Sequence, residues 1–180
     1  MASQKSSRQK KSPRSSQNDG AARNRSSPIV EVRDSPVHGR GVYATRRIPK
    51  GARIIEYTGK RMAWADAPNE DDDPHTFIFG LDNGQVINPE IDGNEARWIN
   101  HSCDPNCEAI GKDDRIFICA MKTIRAGEEL SYDYALELDE PITKKLEAEY
   151  KCHCGTARCR GTMLDIKKRA PAKVRRPGRR

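Results

Sequence analysis

Arg97-Trp98-Ile99-Asn100-His101-Ser102-Cys103-Asp104-Pro105-Asn106-Cys107 packs two cysteines, an imidazole and two amides into eleven residues. Metal-ligating and hydrogen-bonding side chains at this density mark a site rather than a packing element. On both sides of it the chain reads as short strands. Ile29-Val30-Glu31-Val32-Arg33 alternates with period two, and Arg53-Ile54-Ile55-Glu56-Tyr57 follows a Pro-Lys-Gly turn. Thr76-Phe77-Ile78-Phe79-Gly80-Leu81 and Gln85-Val86-Ile87-Asn88 flank an Asn83-Gly84 hairpin step. Arg115-Ile116-Phe117-Ile118-Cys119-Ala120 and Glu129-Leu130-Ser131-Tyr132-Asp133-Tyr134 add two more strands. The expected class is mainly β, with a short helical turn near 93–98, a turn or two of helix between 141 and 150, and Cys119 in the core. Residues 60–75, polar and acidic, read as a short helix or mobile insert.

Charge divides the chain into three parts. Residues 1–28 carry seven Lys/Arg and one Asp, and residues 151–180 carry eleven Lys/Arg and one Asp. The remaining 29–150 hold 15 basic and 24 acidic residues. An acidic body between basic arms attracts cationic peptides, while the arms suit DNA or RNA phosphates. Residues 1–28 lack large apolar side chains and are expected to be a disordered basic tail, with a second basic tail at 165–180. No apolar run approaches the roughly 20 residues of a membrane span, so no membrane partner is expected. A soluble, intracellular monomer is anticipated; composition does not separate nucleus from bacterial cytoplasm or nucleoid.

Cysteines stand at 103, 107, 119, 152, 154 and 159. Three thiols within eight residues argue for a metal, and tetrahedral zinc needs a fourth ligand. Cys103 and Cys107 are candidates, and His153 could replace a thiol. A reduced thiol cluster or a redox pair are the other readings.

Five blocks in order make the chain from 29 to 164 resemble the SET-domain protein lysine methyltransferases with a post-SET zinc segment. They are His38-Gly39-Arg40-Gly41-Val42-Tyr43, Glu56-Tyr57-Thr58-Gly59, the Arg97–Asn106 block, Glu128-Glu129-Leu130-Ser131-Tyr132-Asp133-Tyr134, and Cys-x-Cys-x4-Cys at 152, 154 and 159.

The resemblance implies a SET-domain fold over 29–140, built of small curved sheets with a C-terminal pseudoknot that brings the central block beside Tyr134. It implies a post-SET segment at 141–164 whose Cys152, Cys154 and Cys159 share structural zinc with Cys103. It further implies S-adenosylmethionine as methyl donor, held by His38, Gly39, Arg40, Gly41, Phe77, Asn100, His101 and His153. Tyr134, Tyr132 and His101 form the implied catalytic set. Tyr134 would orient the substrate amine. Tyr132 would limit the product to mono- or dimethyllysine. Phe77 falls where many relatives carry a tyrosine, and Trp98 where Phe is common.

The implied substrate is a lysine in a basic protein tail, histone or histone-like. The competing readings are a SET-fold binding module with weak turnover that acts on nucleic acid or chromatin, and a thiol enzyme using Cys103 or Cys107.

Overall fold

A computed structural model describes residues 28–68, 77–138 and 140–166. The expected disorder of the N-terminal arm, most of the C-terminal basic tail and the acidic run 69–73 lie outside the described residues. Among the described residues ten short strands make four small sheets.

β1 (Val30–Asp34) and β2 (Arg40–Ala44) form an antiparallel hairpin, closed where the Ser35 N–H donates to the Gly39 carbonyl at 2.8 Å. β3 (Arg53–Tyr57) is followed by β4 (Lys60–Ala63) and a 3-10 turn, Trp64–Asp66. Residues 60–63 are thus strand, not insert. Their composition is polar, but pairing with β6 (Gln85–Asn88) supplies the order that side-chain burial does not. β5 (Phe79–Gly80) pairs with the other edge of β6. The turn between them places only Gly84 at positive φ (78°), with the Asn83 side chain accepting from the Gln85 N–H at 3.0 Å. The Asn-Gly step therefore works in a three-residue hairpin loop rather than a two-residue one.

The central block opens with a 3-10 turn, Glu95–Trp98, capped by Asn94, whose side chain accepts from Ala96 N–H and donates to the Glu56 carbonyl at 2.8 Å. That clasp ties the block to β3. β7 (Asn100–His101) follows, then β8 (Cys107–Lys112) and β9 (Arg115–Ala120). β9 lies between β3 and β8, and three successive residues, Ile116, Phe117 and Ile118, are buried. A middle strand covered on both faces is apolar without alternation. β8 was not anticipated: it is an edge strand with mostly exposed side chains, joined to β9 by a turn at Asp113 and Asp114 with φ of 52° and 58°. Cys107, not Cys119, is the fully enclosed thiol; Cys119 is half-buried.

β10 (Ser131–Tyr132) runs parallel to β7, pairing Ser131 with Asn100 and Tyr132 with His101. Among the described residues a single α-helix, α1 (Lys144–Glu149), capped by Thr143, precedes the cysteine-rich segment. The core gathers Val42, Ile48, Ile99, Ile118, Ile124 and Leu130 beneath these sheets. Among the described residues no helix is long and apolar enough to cross a membrane.

Candidate active site and metal centre

The parallel rungs of β7 and β10 put residues 31 apart in sequence side by side, and two clasps hold them there. Asn106, buried, donates from Nδ2 to the Glu129 carbonyl at 2.8 Å and accepts the Ser131 N–H at 2.9 Å. The Ser102 N–H donates to the Tyr132 carbonyl at 3.1 Å. The chain then turns sharply at Ala135, φ 45°, whose N–H donates to the Asp133 side chain at 3.0 Å.

Tyr134 is brought against the central block. Its hydroxyl donates to the Ile99 carbonyl at 2.8 Å, and its own N–H donates to His101 Nδ1 at 3.1 Å. Burial raises the Tyr134 phenol well above the usual range, so it is a neutral hydroxyl at physiological pH. The ring of Tyr132 lies 4.9 Å from that of Tyr134, and a chain of aromatics continues through Phe79, at 6.4 Å from Tyr132, to Tyr57, at 5.3 Å from Phe79. Tyr57, absent from the expected set, is buried and donates its hydroxyl to the Phe77 carbonyl. The Phe77 ring packs edge-on against Trp98 at 5.2 Å.

His101 is buried with both ring nitrogens engaged. Nδ1 accepts from Tyr134, which leaves the Nε2 proton directed at Cys103 Sγ, 3.4 Å away. Burial holds the imidazole neutral, lowering its pKa to about 4 against the pull of Asp133.

Asn100 binds the glycine loop. Three oxygens surround its Nδ2: Arg40 O at 2.8 Å, Glu129 Oε1 at 2.9 Å and His38 O at 3.3 Å. A side-chain amide has two protons, so one acceptor is always surplus. Glu129 also accepts from the hydroxyls of Ser35 at 2.8 Å and Tyr43 at 3.1 Å. A Cβ at 41 would come within 2.2 Å of Glu129 Oε1, so any larger residue there would displace that carboxylate. Gly39 sits at φ 46°. The Arg40 guanidinium stacks on Trp98 at 5.0 Å, and Arg97 does so at 4.5 Å. Glu129, Tyr57 and Asn106 are the residues that sequence reading did not assign. Glu129 and Asn106 stood within quoted motifs, but their contacts cross 23 to 94 positions of chain.

The four sulfurs of Cys103, Cys152, Cys154 and Cys159 lie within 4.8 Å of one another, with Cys103 and Cys152 at 3.6 Å. Tetrahedral zinc at its usual bond length spaces its sulfurs about 3.8 Å apart. Every thiol also has a donor. Arg160 N–H reaches Cys103, Cys154 N–H reaches Cys152, and Gly161 N–H reaches Cys159, each at 3.4 Å. Thr156 Oγ1 is 3.3 Å from Cys154. Donors aimed at sulfur are what thiolate ligands require. Burial raises the thiols of Cys103 and Cys152, a bias that a divalent cation reverses by stripping their protons. The donor set fits a closed structural zinc site, and the sulfur gathered with the C-terminal trio is that of Cys103 rather than the core Cys107. His153 is exposed between two of these cysteines.

Arg160 ties this centre to the tyrosines. It donates through two bonds of 2.6 Å to the carboxylate of Asp133, between Tyr132 and Tyr134.

A domain of small β-sheets in which an Asn-His strand lies beside a Tyr-x-Tyr strand and a four-cysteine cluster is a SET domain with a post-SET segment. The chain belongs to the SET domain family, whose pattern matches residues 39–135. It is 35% identical over 148 residues to histone-lysine N-methyltransferase 2B of Homo sapiens, covering 75% of this chain and 5% of the relative. It is 36% identical over 143 residues to histone-lysine N-methyltransferase trr of Drosophila melanogaster, covering 74% and 6%. To the H3 lysine-4 specific histone-lysine N-methyltransferase of Chaetomium globosum it is 36% identical over 147 residues, covering 76% and 13%. The match thus spans a small fraction of the length of these relatives.

Proposed function

We propose that the protein is a protein-lysine N-methyltransferase acting on a lysine in a basic tail, histone or histone-like, with S-adenosylmethionine as donor. The observation that carries this reading is the Tyr134 hydroxyl, bonded to the Ile99 carbonyl immediately before Asn100, which grips the glycine loop. The relatives, each named a histone-lysine N-methyltransferase, support it.

When bound, the donor supplies an electrophilic methyl on a sulfonium, and an in-line transfer requires the amine to be aligned rather than covalently activated. Its amino-acid end carries an ammonium, which complements the one acceptor left over at Asn100. His38, Gly39, Arg40 and Gly41 would hold it by backbone, with Phe77, Asn100, His101 and His153 completing the set.

Because the Tyr134 proton is committed to Ile99 O, the phenol oxygen is left to accept from an amine N–H. Its raised pKa makes it an orienting acceptor, not a phenolate base. A lysine amine starts near pKa 10.4 and must shed its proton, which a desolvating aromatic channel favours. The Tyr132, Phe79 and Tyr57 rings supply such surroundings. Tyr132 would restrict the channel and hold the product to mono- and dimethyllysine. His101 acts through the Tyr134 backbone, and zinc on Cys103, Cys152, Cys154 and Cys159 would fix the C-terminal segment. The acidic body suits a cationic substrate; an intracellular, chromatin- or nucleoid-associated setting and a monomeric state go with that reading.

The test is transfer of labelled methyl from S-adenosylmethionine to histones and other basic proteins, read by mass spectrometry. Activity that survives Tyr134→Phe undiminished would overturn the assignment.

A further inference from the structure

On the acidic body, one surface reverses the sign of charge. Two loops, 45–51 and 121–127, are bridged by the pair Ile48 and Ile124, whose N–H groups donate to each other's carbonyls at 2.8 and 2.9 Å. Both isoleucines are fully buried, so the bridge is anchored in the core. The loops expose Arg46, Arg47 and Lys50 on one side and Lys122 and Arg125 on the other. They contain no acid; Glu128 follows immediately.

The antiparallel register sets Arg47 next to Arg125, and like charges facing across a strand pair are destabilising unless something neutralises them. Within the protein little does. Among the described residues no carboxylate pairs with Arg46, Arg47, Lys50 or Lys122, and Arg125 meets Glu128 at 3.9 Å from a side chain that is 86% exposed. Arg47, Lys122 and Arg125 line one cleft of about 760 Å³ together with Thr123, Asn106 and the carboxylates Glu128 and Glu129, which leaves the cations in excess by one. Glu129 forms part of its wall and reaches Asn100 through the same carboxylate. None of the aromatic residues Tyr57, Phe79, Tyr132 and Tyr134 lines the cleft.

We propose that this cleft is a docking surface for the phosphate backbone of a nucleic acid. Arg47 and Lys122, with no carboxylate partner among the described residues, and Arg125, only loosely paired with Glu128, converge on a concavity and match a regularly repeating row of anions, as in a duplex. The charge distribution of the chain favours this partner over an acidic protein, because the arms flanking the body, with net charges of +6 and +10, are of the same sign as the cleft. The surface engages phosphates independently of methyl transfer.

The experiment measures binding of the full chain to a short duplex DNA by fluorescence anisotropy over a series of salt concentrations. The triple variant Arg47→Ala, Lys122→Ala, Arg125→Ala is compared with a control triple, Lys60→Ala, Lys112→Ala, Lys144→Ala, of exposed cations elsewhere. The expected result is a salt slope of log Kobs shallower by about 2.7 for the cleft triple, three phosphates at about 0.9 each, with the control close to the parent. Methylation of an isolated basic peptide should be the same in all three proteins, so loss of that activity in the parent would count against the enzyme reading and not against the cleft. An unchanged slope in the cleft triple, or an equal change in the control, overturns the proposal. So does a cleft triple that loses affinity for polyglutamate while keeping the DNA slope, which would assign the surface to an acidic protein.

Discussion

Arg160 and Asp133 meet guanidinium to carboxylate through two parallel hydrogen bonds of 2.6 Å, linking a zinc-segment residue to the residue between the two site tyrosines. The Asp133 carboxyl is raised by burial, but the hydrogen bonds from Arg160 and from the Ala135 N–H outweigh this and hold it below the usual carboxylate range. Both side chains are partly sheltered, at 20% and 34% exposure. Arg160→Ala leaves the carboxylate unpaired and should cost about 2 kcal/mol in denaturant unfolding. Arg160→Lys should recover only part, because an ammonium lacks the two-pronged geometry. The sign with pH follows from the depressed pKa. The pair's contribution is complete above the unfolded value near 3.9 and is lost as pH falls through the lower folded value. The gap between parent and Arg160→Ala should therefore be constant above pH ~5 and close on further acidification.

Gly41→Ala tests the carboxylate behind Asn100. The added methyl would overlap Glu129 Oε1, displacing it from Ser35 and Asn100 while the strand remains paired. S-adenosylmethionine affinity by calorimetry should fall at least about tenfold, equivalent to about 1.4 kcal/mol. In the double variant with Glu129→Ala there is room for the methyl, but the amide keeps only the Arg40 and His38 carbonyls as acceptors. Its loss should match the larger single loss rather than the sum.

Thiol chemistry separates the metal ligands from the core. With zinc bound, the four cluster sulfurs should react slowly with an aromatic disulfide reagent. A chelator should add four fast-reacting thiols while Cys107, with no exposure and its thiol pushed up to about 12 by burial, stays inert until the protein unfolds. Cys154→Ser should remove the bound zinc, read by metal analysis. Retention of stoichiometric zinc by that variant would contradict the assigned set.

The phenol's ionisation makes a kinetic statement. Because burial raises Tyr134, log(kcat/KM) should climb with pH toward the substrate amine's pKa near 10.4, without the downturn an ordinary tyrosine titrating near 10 would impose. Tyr134→Phe should lower kcat by about 10²-fold with little effect on donor binding. Tyr132→Phe should shift products toward higher methylation by mass spectrometry.

Much of this architecture can be read from residue order. The alternation at 29–33 and the apolar run at 115–120 become β1 and β9, and Asn83-Gly84 becomes a hairpin. β8 escaped because its edge position leaves Glu108, Ile110 and Lys112 exposed, and because Asp113-Asp114 adopts left-handed angles without the usual glycine. β4 escaped because its partner β6, not its own side chains, orders it. At the site the motifs locate Asn100, His101 and Tyr134, but spacing alone left Cys103 and Cys107 equivalent. Only the three-dimensional positions distinguish a ligand from a core thiol. The reach of Arg160 across 27 residues and of Glu129 across 94 leaves no periodic trace in a linear string.

Two rungs between β7 and β10 are a slender join for the centre of the proposed enzyme. Such a join opens more readily than the three-stranded sheet around β9, so function can vanish through a local excursion that leaves most of the protein intact. The amide clasp at Asn106 and the ionic clasp at Arg160 set how often that happens. A mild chelator or a protease acting on the cysteine-rich end would silence the molecule well before it melted.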